Sequence, residues 1–235
     1  MKLVFEKILD FFKENKKMVA ILILFLIIGG IITGLCYDYW AKIGVLPFTR
    51  LDKICVVIDA GHGGSDKGAI NGDRLEKDDN LRLALKVKEY LEEKGMKVVM
   101  TRSDDSYPTL EERCRLANSC SADLYVSLHR NSALFEASGV EIWIGSEDSY
   151  GARKLAENMM NLFEDAGISK NRGVRVGYIT DSSKDYFINK NTKMTSCLVE
   201  LGFISSDVDN ELYDKNTDAY AKAIADAIEE QFSIF

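Results

Sequence analysis

The sequence predicts an α/β fold: a single domain on a twisted, mostly parallel sheet flanked by helices, preceded by one N-terminal transmembrane helix. Three observations predict it. From Ile54 onward, short fully apolar runs alternate with longer amphipathic stretches, as strands covered on both faces and joined by helical crossovers would. Ahead of them, residues 18–36 carry no charge at all. The 235 residues are 46% hydrophobic and 29% charged with only 2 Pro, enough for a real core and too few breakers for long linkers. No segment of about 20 to 50 residues recurs, which removes solenoids and propellers. The net charge of −7 has the wrong sign for a chain that must neutralise nucleic-acid phosphates, so no nucleic-acid partner is expected.

Residues 1–17 hold Lys2, Lys7, Lys13, Lys16 and Lys17 against Glu6, Asp10 and Glu14, a net of +2. Met18 to Cys36 follows, 19 residues rich in Ile and Leu. As a helix they span about 28 Å, one hydrocarbon thickness. A buried core helix would not be apolar on every face in a domain of this size. A cleaved signal peptide would have a shorter apolar run and a small-x-small site; Gly34-Leu35-Cys36 is a weak match, and Leu35 is a poor residue before a lipoprotein cysteine. The expectation is a cytoplasmic segment 1–17, a signal anchor 18–36 and an extracytoplasmic remainder. Tyr37, Tyr39 and Trp40 fall where an interfacial aromatic belt belongs, and residues 37–53, with Pro47, read as a stalk of at most about 55 Å. With +2 on residues 1–17, the rest of the chain carries −9 and should not cling to acidic lipid.

Within 54–235 the elements follow in order. Ile54-Cys55-Val56-Val57-Ile58 is a strand running into Asp59-Ala60-Gly61-His62-Gly63-Gly64. Asp78 or Asp79 caps a helix to Lys94 with Leu81, Ala84, Val87 and Leu91 on one stripe, stopped by Gly95. Met96–Met100 is a strand. Thr109-Leu110-Glu111-Glu112 is a capping box that opens a helix to about Ser119. Strands at 122–128 and 139–144, a helix at 149–166 and a strand at 195–199 come next. Two short helices, from Asp207 and from Thr217, close the chain. Helices between strands imply a largely parallel sheet with one or two antiparallel additions. Cys55 and Cys197 sit in apolar runs as small buried hydrophobes; Cys114 and Cys120 face different sides of one helix and should not bridge.

The chain has only two histidines, His62 and His129, and each follows an apolar strand. Glu200 stands at the same kind of place, after Ser196-Cys197-Leu198-Val199. In a parallel sheet all three emerge at the carboxyl edge, where such folds keep their sites. Two imidazoles and one carboxylate leave a tetrahedral zinc an open position, and a further carboxylate nearby would be a general base. Spacing does not choose among Asp73, Glu76, Asp78 and Asp79 for the additional acid, since all four could simply solvate a loop. The turn Gly61-His62-Gly63-Gly64 lacks the spacing of a phosphate-binding fingerprint.

These pieces resemble the zinc-dependent N-acetylmuramoyl-L-alanine amidases, bacterial cell-wall enzymes of the amidase 3 type. The matching fragments run in order over about three-quarters of the chain. They are Ile58 to Gly64, Leu75-Glu76-Lys77 with Asn80-Leu81, Thr101-Arg102, Leu110, Arg113, Ala117-Asn118, Ser127-Leu128-His129-Arg130-Asn131, Gly139-Val140-Glu141, Arg172-Gly173-Val174 and Leu198 to Phe203. The resemblance implies that His62, Glu76 and His129 bind zinc, that Glu200 is the catalytic carboxylate, and that 54–235 is the catalytic domain.

It also implies a peptidoglycan substrate, cleaved between N-acetylmuramic acid and L-alanine, with the domain on the wall side of a single-pass anchor. Asn131 is expected to fix His129, contact substrate or cap its turn; Arg115 and Asn118 either brace the site or lie on the helix surface. Two departures stand out: Arg130, where the family has a small or apolar residue, would place a cation near the metal, and Met194-Thr195-Ser196 replaces Met-Pro-small. The short stretch between Ile144 and Arg172 implies an open site with no activator required. A minimal anchored chain of this size also resembles the amidases that act on spore cortex in endospore-formers. Competing readings are a zinc peptidase or carboxypeptidase on the stem peptide, and a catalytically silent peptidoglycan-binding regulator.

Overall fold

The structure is a computed structural model that describes residues 54–232 and Phe25. The expected cytoplasmic segment 1–17, anchor 18–36 and stalk 37–53 lie, Phe25 apart, outside the described residues. Among the described residues no helix is long and apolar enough to cross a membrane. The main strands are β1 (Cys55–Ala60), β4 (Lys97–Met100), β5 (Leu124–Asn131), β6 (Val140–Ile144), β7 (Asn171–Val176) and β8 (Thr195–Phe203). They form one sheet in the order β4-β1-β5-β8-β6-β7, while β2 (Ile70–Asn71) and β3 (Arg74–Leu75) form a separate hairpin. The helices are α1 (Glu76–Glu93), α2 (Leu110–Ser119), α3 (Tyr150–Ala166), α4 (Phe187–Asn191) and α5 (Asp207–Phe232). Every pairing in the sheet is parallel except β6 with β8.

The apolar strands are explained by the two layers that cover them. Val56, Ile58, Val126, Leu128, Ile142 and Val199 point to one face, against Leu83, Val87 and Leu91 of α1, Leu155, Met159 and Phe163 of α3, and Ile224 and Ile228 of α5. The alternate residues Cys55, Val57, Tyr125, Trp143 and Leu198 point to the other, under Cys114 and Ala117 of α2 and Ile188 of α4. A strand buried on both sides has no reason to alternate. The four described cysteines are free thiols; burial pushes Cys114 up to about 11 and Cys197 up to about 12, so both behave as small hydrophobes.

Several boundaries differ from expectation. Helix α1 starts at Glu76 with Leu75 as a cap that makes no side-chain bond, not at Asp78 or Asp79. Its first amides are satisfied by the preceding loop instead, Glu76 N–H by the Ala69 carbonyl and Lys77 N–H by that of Lys67. The buried stripe holds Leu83, while Leu81 is half-buried. Helix α5 is continuous, its buried residues running from Tyr213 through Thr217 to Ile228, and the Thr217 hydroxyl donates back to the Tyr213 carbonyl, so this threonine sits within a helix rather than opening one. Strand β7 and helix α4 were not foreseen: β7 is a half-exposed edge strand of mixed polarity. Thr109 and Glu112 do form the expected capping box. Strands β5 and β8 run on to Asn131 and Phe203, so His129 and Glu200 are strand residues rather than the residues after a strand.

Candidate metal centre

His62 follows β1 with φ of 61°, a left-handed conformation that costs a non-glycine residue about 1–2 kcal/mol. Two buried guanidinium groups hold the loop in that shape. Arg113 donates to the carbonyls of Ala60 at 2.8 Å and His62 at 2.7 Å; Arg102 donates to those of Ala60 at 2.9 Å and Gly61 at 3.0 Å. Asp59 balances Arg113 at 2.6 Å and also accepts from the hydroxyls of Thr101 and Ser127. Burial alone would raise the Asp59 carboxyl, but Arg113, Ser127 and Thr101 outweigh it and hold the group below its ordinary value.

His129 lies on β5 directly against Gly61. A Cβ at position 61 would come within 2.3 Å of His129 Cε1, so only glycine leaves the ring its place. Gly61→Ala is therefore expected to displace His129 and lower metal affinity about 10–100-fold, the range for disturbing a group that orients a ligand. Zinc titration of the purified variant measures this; unchanged affinity would show that the ring adapts.

Of the four acids left open by the sequence, Glu76 is the one that reaches both imidazoles. Its Oε1 lies 2.9 Å from His129 Nδ1 and 3.2 Å from His62 Nε2. Asp73 and Asp78 are exposed, and Asp79 is taken by Arg74 and Arg130 at 2.7 Å each. The Glu76 carboxylate also accepts from the peptide N–H of Ala69 at 2.8 Å and of Arg130 at 3.1 Å. Burial works to raise it, yet the bonds with His129 and His62 hold it far below the usual carboxylate range. His62 Nδ1 is 2.8 Å from Asp66 Oδ2, which turns Nε2 toward Glu76. Burial disfavours charge on His62, but Glu76 and Asp66 overcome it and raise the imidazole above its ordinary value.

Arg130 does not place its charge beside this cluster. Successive strand residues point to opposite faces, so with His129 on the site face the Arg130 side chain enters the other layer. There it meets Asp79, Asn210 and the face of Tyr213, 4.3 Å from the ring centroid. Only its backbone N–H touches Glu76. At the other departure, the Ser196 hydroxyl donates to Asn189 at 3.0 Å and ties β8 to the segment of α4.

Register brings the fourth residue in. His129 pairs with Glu200 across β5/β8, and Glu200 pairs with Glu141 across β8/β6, which puts the three side chains in one row on one face. Glu200 Oε2 is buried without a hydrogen-bond partner. Burial, with the charges of Glu76 and Glu141, raises the Glu200 carboxyl well above its ordinary value. Asn131 bonds to Glu141 and to the Ser132 N–H rather than to His129.

A cavity of about 420 Å³ opens above the row, walled by Tyr107, Leu110, Tyr186, Phe187 and Ile188. No residue from 145 to 170 lines it. His62 and His129 keep 24% and 20% of their side-chain surface exposed, so the cluster is reachable. Arg115 and Asn118 are elsewhere, in a shallow groove between α2 and α4. Asn118 bonds the Asn191 carbonyl and the Lys193 N–H, and Arg115 is 76% exposed, so both are surface groups. Sequence reasoning did not assign roles to Asp59, Asp66, Arg102, Arg113 or Glu141. Asp66, four residues after His62, was the most accessible of these to sequence reasoning.

The fold and site define an α/β protein with a three-donor candidate metal centre at the carboxyl edge of its sheet. The donor atoms of His62, Glu76 and His129 lie within 4.8 Å of one another. Residues 56–230 match the profile of the amidase 3 family, described as N-acetylmuramoyl-L-alanine amidase, and the chain belongs to that family of peptidoglycan amidases. It is 37% identical over 174 residues to the uncharacterized protein YqiI of Bacillus subtilis, covering 74% of this chain and 80% of that one. It is 35% identical over 162 residues to the probable cell wall amidase LytH of Staphylococcus aureus, covering 67% of this chain but only 50% of the relative. Among solved structures, the catalytic domain of the amidase CwlV from Bacillus (Paenibacillus) polymyxa superposes with a TM-score of 0.69 at 32% identity, over 77% of this chain and 99% of that one.

Proposed function

We propose that the protein is a membrane-anchored, zinc-dependent N-acetylmuramoyl-L-alanine amidase. It cleaves the amide between the lactyl group of muramic acid and the L-alanine of the stem peptide. The observation that carries this reading is the meeting of His62, Glu76, His129 and Glu200 on one sheet edge beneath one cavity. The donor set suits zinc, with two imidazoles and a carboxylate, an Asp66 carboxylate that orients the His62 ring and an open side toward the cavity. Zinc held there supplies Lewis-acid polarisation of the scissile carbonyl and makes water a competent nucleophile near neutral pH.

The chain's own groups do the rest. Glu200, which lines the cavity, takes the proton of the attacking water on its carboxylate and returns it to the departing alanine nitrogen as the carbon–nitrogen bond breaks. Arg102 and Arg113 hold the loop that presents His62. Apolar side chains of the cavity wall flank the reacting amide. Residues 1–17 are cytoplasmic, 18–36 cross the membrane, 37–53 are the stalk, and 54–235 work on the wall side. The partners are peptidoglycan and, through the N-terminal helix, the membrane. That residues 145–170 do not line the cavity supports a site open to substrate without an activator to uncover it.

Mass spectrometry of products released from purified peptidoglycan by the full-length chain in detergent tests the reading. Free peptides beginning with L-alanine, lost on adding a chelator, are expected. Shortened stems still attached to muramic acid would instead establish a stem-peptide peptidase.

A further inference from the structure

Beside Glu200 lies a second buried carboxylate that the proposed reaction does not use. Glu141 is 4% exposed, and both of its oxygens are engaged. Oε1 accepts from Asn131 Nδ2 at 2.8 Å and from Trp143 Nε1 at 3.3 Å; Oε2 accepts from Arg172 Nε at 3.0 Å. All three partners are donors, as an ionised carboxylate requires. Arg172 comes from the edge strand β7 and rests over the ring of Phe203, 5.0 Å from its centroid.

This arrangement decides which way the Asn131 amide faces. Its Oδ1 accepts the Ser132 N–H at 2.8 Å, and its Nδ2 donates to Glu141. A carboxylate only accepts and a peptide N–H only donates, so the reverse orientation would lose both bonds. An amide nitrogen has two hydrogens, and Glu141 takes one. The other has no protein acceptor among the described residues, and Asn131 lines the cavity with His62, His129 and Glu200.

Resting on the amidase reading, we propose that Asn131 offers this spare N–H to a carbonyl oxygen of the bound muramoyl-peptide, and that Glu141, braced by Arg172, is the positioning residue that turns it. Glu141→Gln tests the second part sharply. Its single amide oxygen must face the Arg172 guanidinium, which leaves an NH2 group toward Asn131. Asn131 then flips, turns its oxygen to the new donor and loses the Ser132 bond.

Three variants of the full-length chain, N131A, E141Q and the pair together, are assayed for kcat, KM and zinc content. N131A is expected to lower kcat about 10²-fold, as loss of one aligned donor does, with zinc content unchanged. E141Q should lower kcat about tenfold alone, through misplacement of that donor, and less than about twofold in the N131A background. Full additivity, or an undiminished kcat in N131A, overturns the proposal. A readout without turnover accompanies it: the Asn131 side-chain amide resonance of the inactive E200Q chain, observed by NMR while muramoyl-L-alanyl-D-isoglutamine is added. The resonance is expected to shift with Glu141 present and not in the E141Q background; no shift in either overturns the contact. If the parent enzyme releases no L-alanine peptides, the amidase reading fails by itself, and the titration still judges the Asn131 contact.

Discussion

Glu200→Gln is expected to keep zinc and lose about 10²–10⁴ in turnover, the contribution of a positioned general acid–base group. The same substitution should stabilise the metal-free protein above pH 4. Burial and the nearby charges of Glu76 and Glu141 hold the Glu200 proton well above the ordinary carboxyl range. A carboxyl raised on folding opposes folding once the pH exceeds its unfolded value, because the unfolded chain ionises freely and the native one does not. Glutamine has no proton to lose. The gain in melting temperature should thus be near zero at about pH 4 and grow as the pH rises. Melting curves of the two metal-free proteins across that range, with zinc content and product release, check both halves. A fully active Gln variant would remove Glu200 from its role.

His129→Ala is expected to abolish metal binding and activity together. It deletes one of three donors and leaves the Glu76 carboxylate with one imidazole fewer in a buried place. The loss of zinc affinity should exceed about 10²-fold, the upper end for disturbing an outer partner alone. Asp66→Ala removes such an outer partner of His62 and should fall within about 10–100-fold. Isothermal titration with zinc separates the two, and equal losses would mean that His129 is not a ligand. Calcium offers a control, because two imidazoles are poor ligands for a cation that prefers oxygen.

Hydropathy alone marked the doubly covered strands, because a strand with a helix layer on each side has nowhere to put polar residues. Residue identity and spacing marked the two histidines near strand ends and the Thr109 capping box, whose determinants are local. Boundaries set by distant partners were less legible. Helix α1 starts at Glu76 because loop carbonyls cap it, and α5 passes through Thr217 because its buried face runs on from Tyr213 to Ile228. Strand β7 has too little apolar pattern to announce itself, since it lies at the edge.

The candidate site divides in the same way. Identities and order along the chain determined that two His and a Glu would stand near one sheet edge with one of four loop acids in reach, and the family resemblance singled out Glu76 among them. The tertiary structure decided the rest. It set the β5/β8/β6 register that aligns His129, Glu200 and Glu141, sent the Arg130 charge to the opposite face, and left Arg115 and Asn118 on the surface. It also brought Arg102 and Arg113 from distant segments to hold His62 in a left-handed turn. Strand register and side-chain facing depend on partners dozens of residues away, whereas the residue types that bind a metal or carry a proton are written in the chain itself.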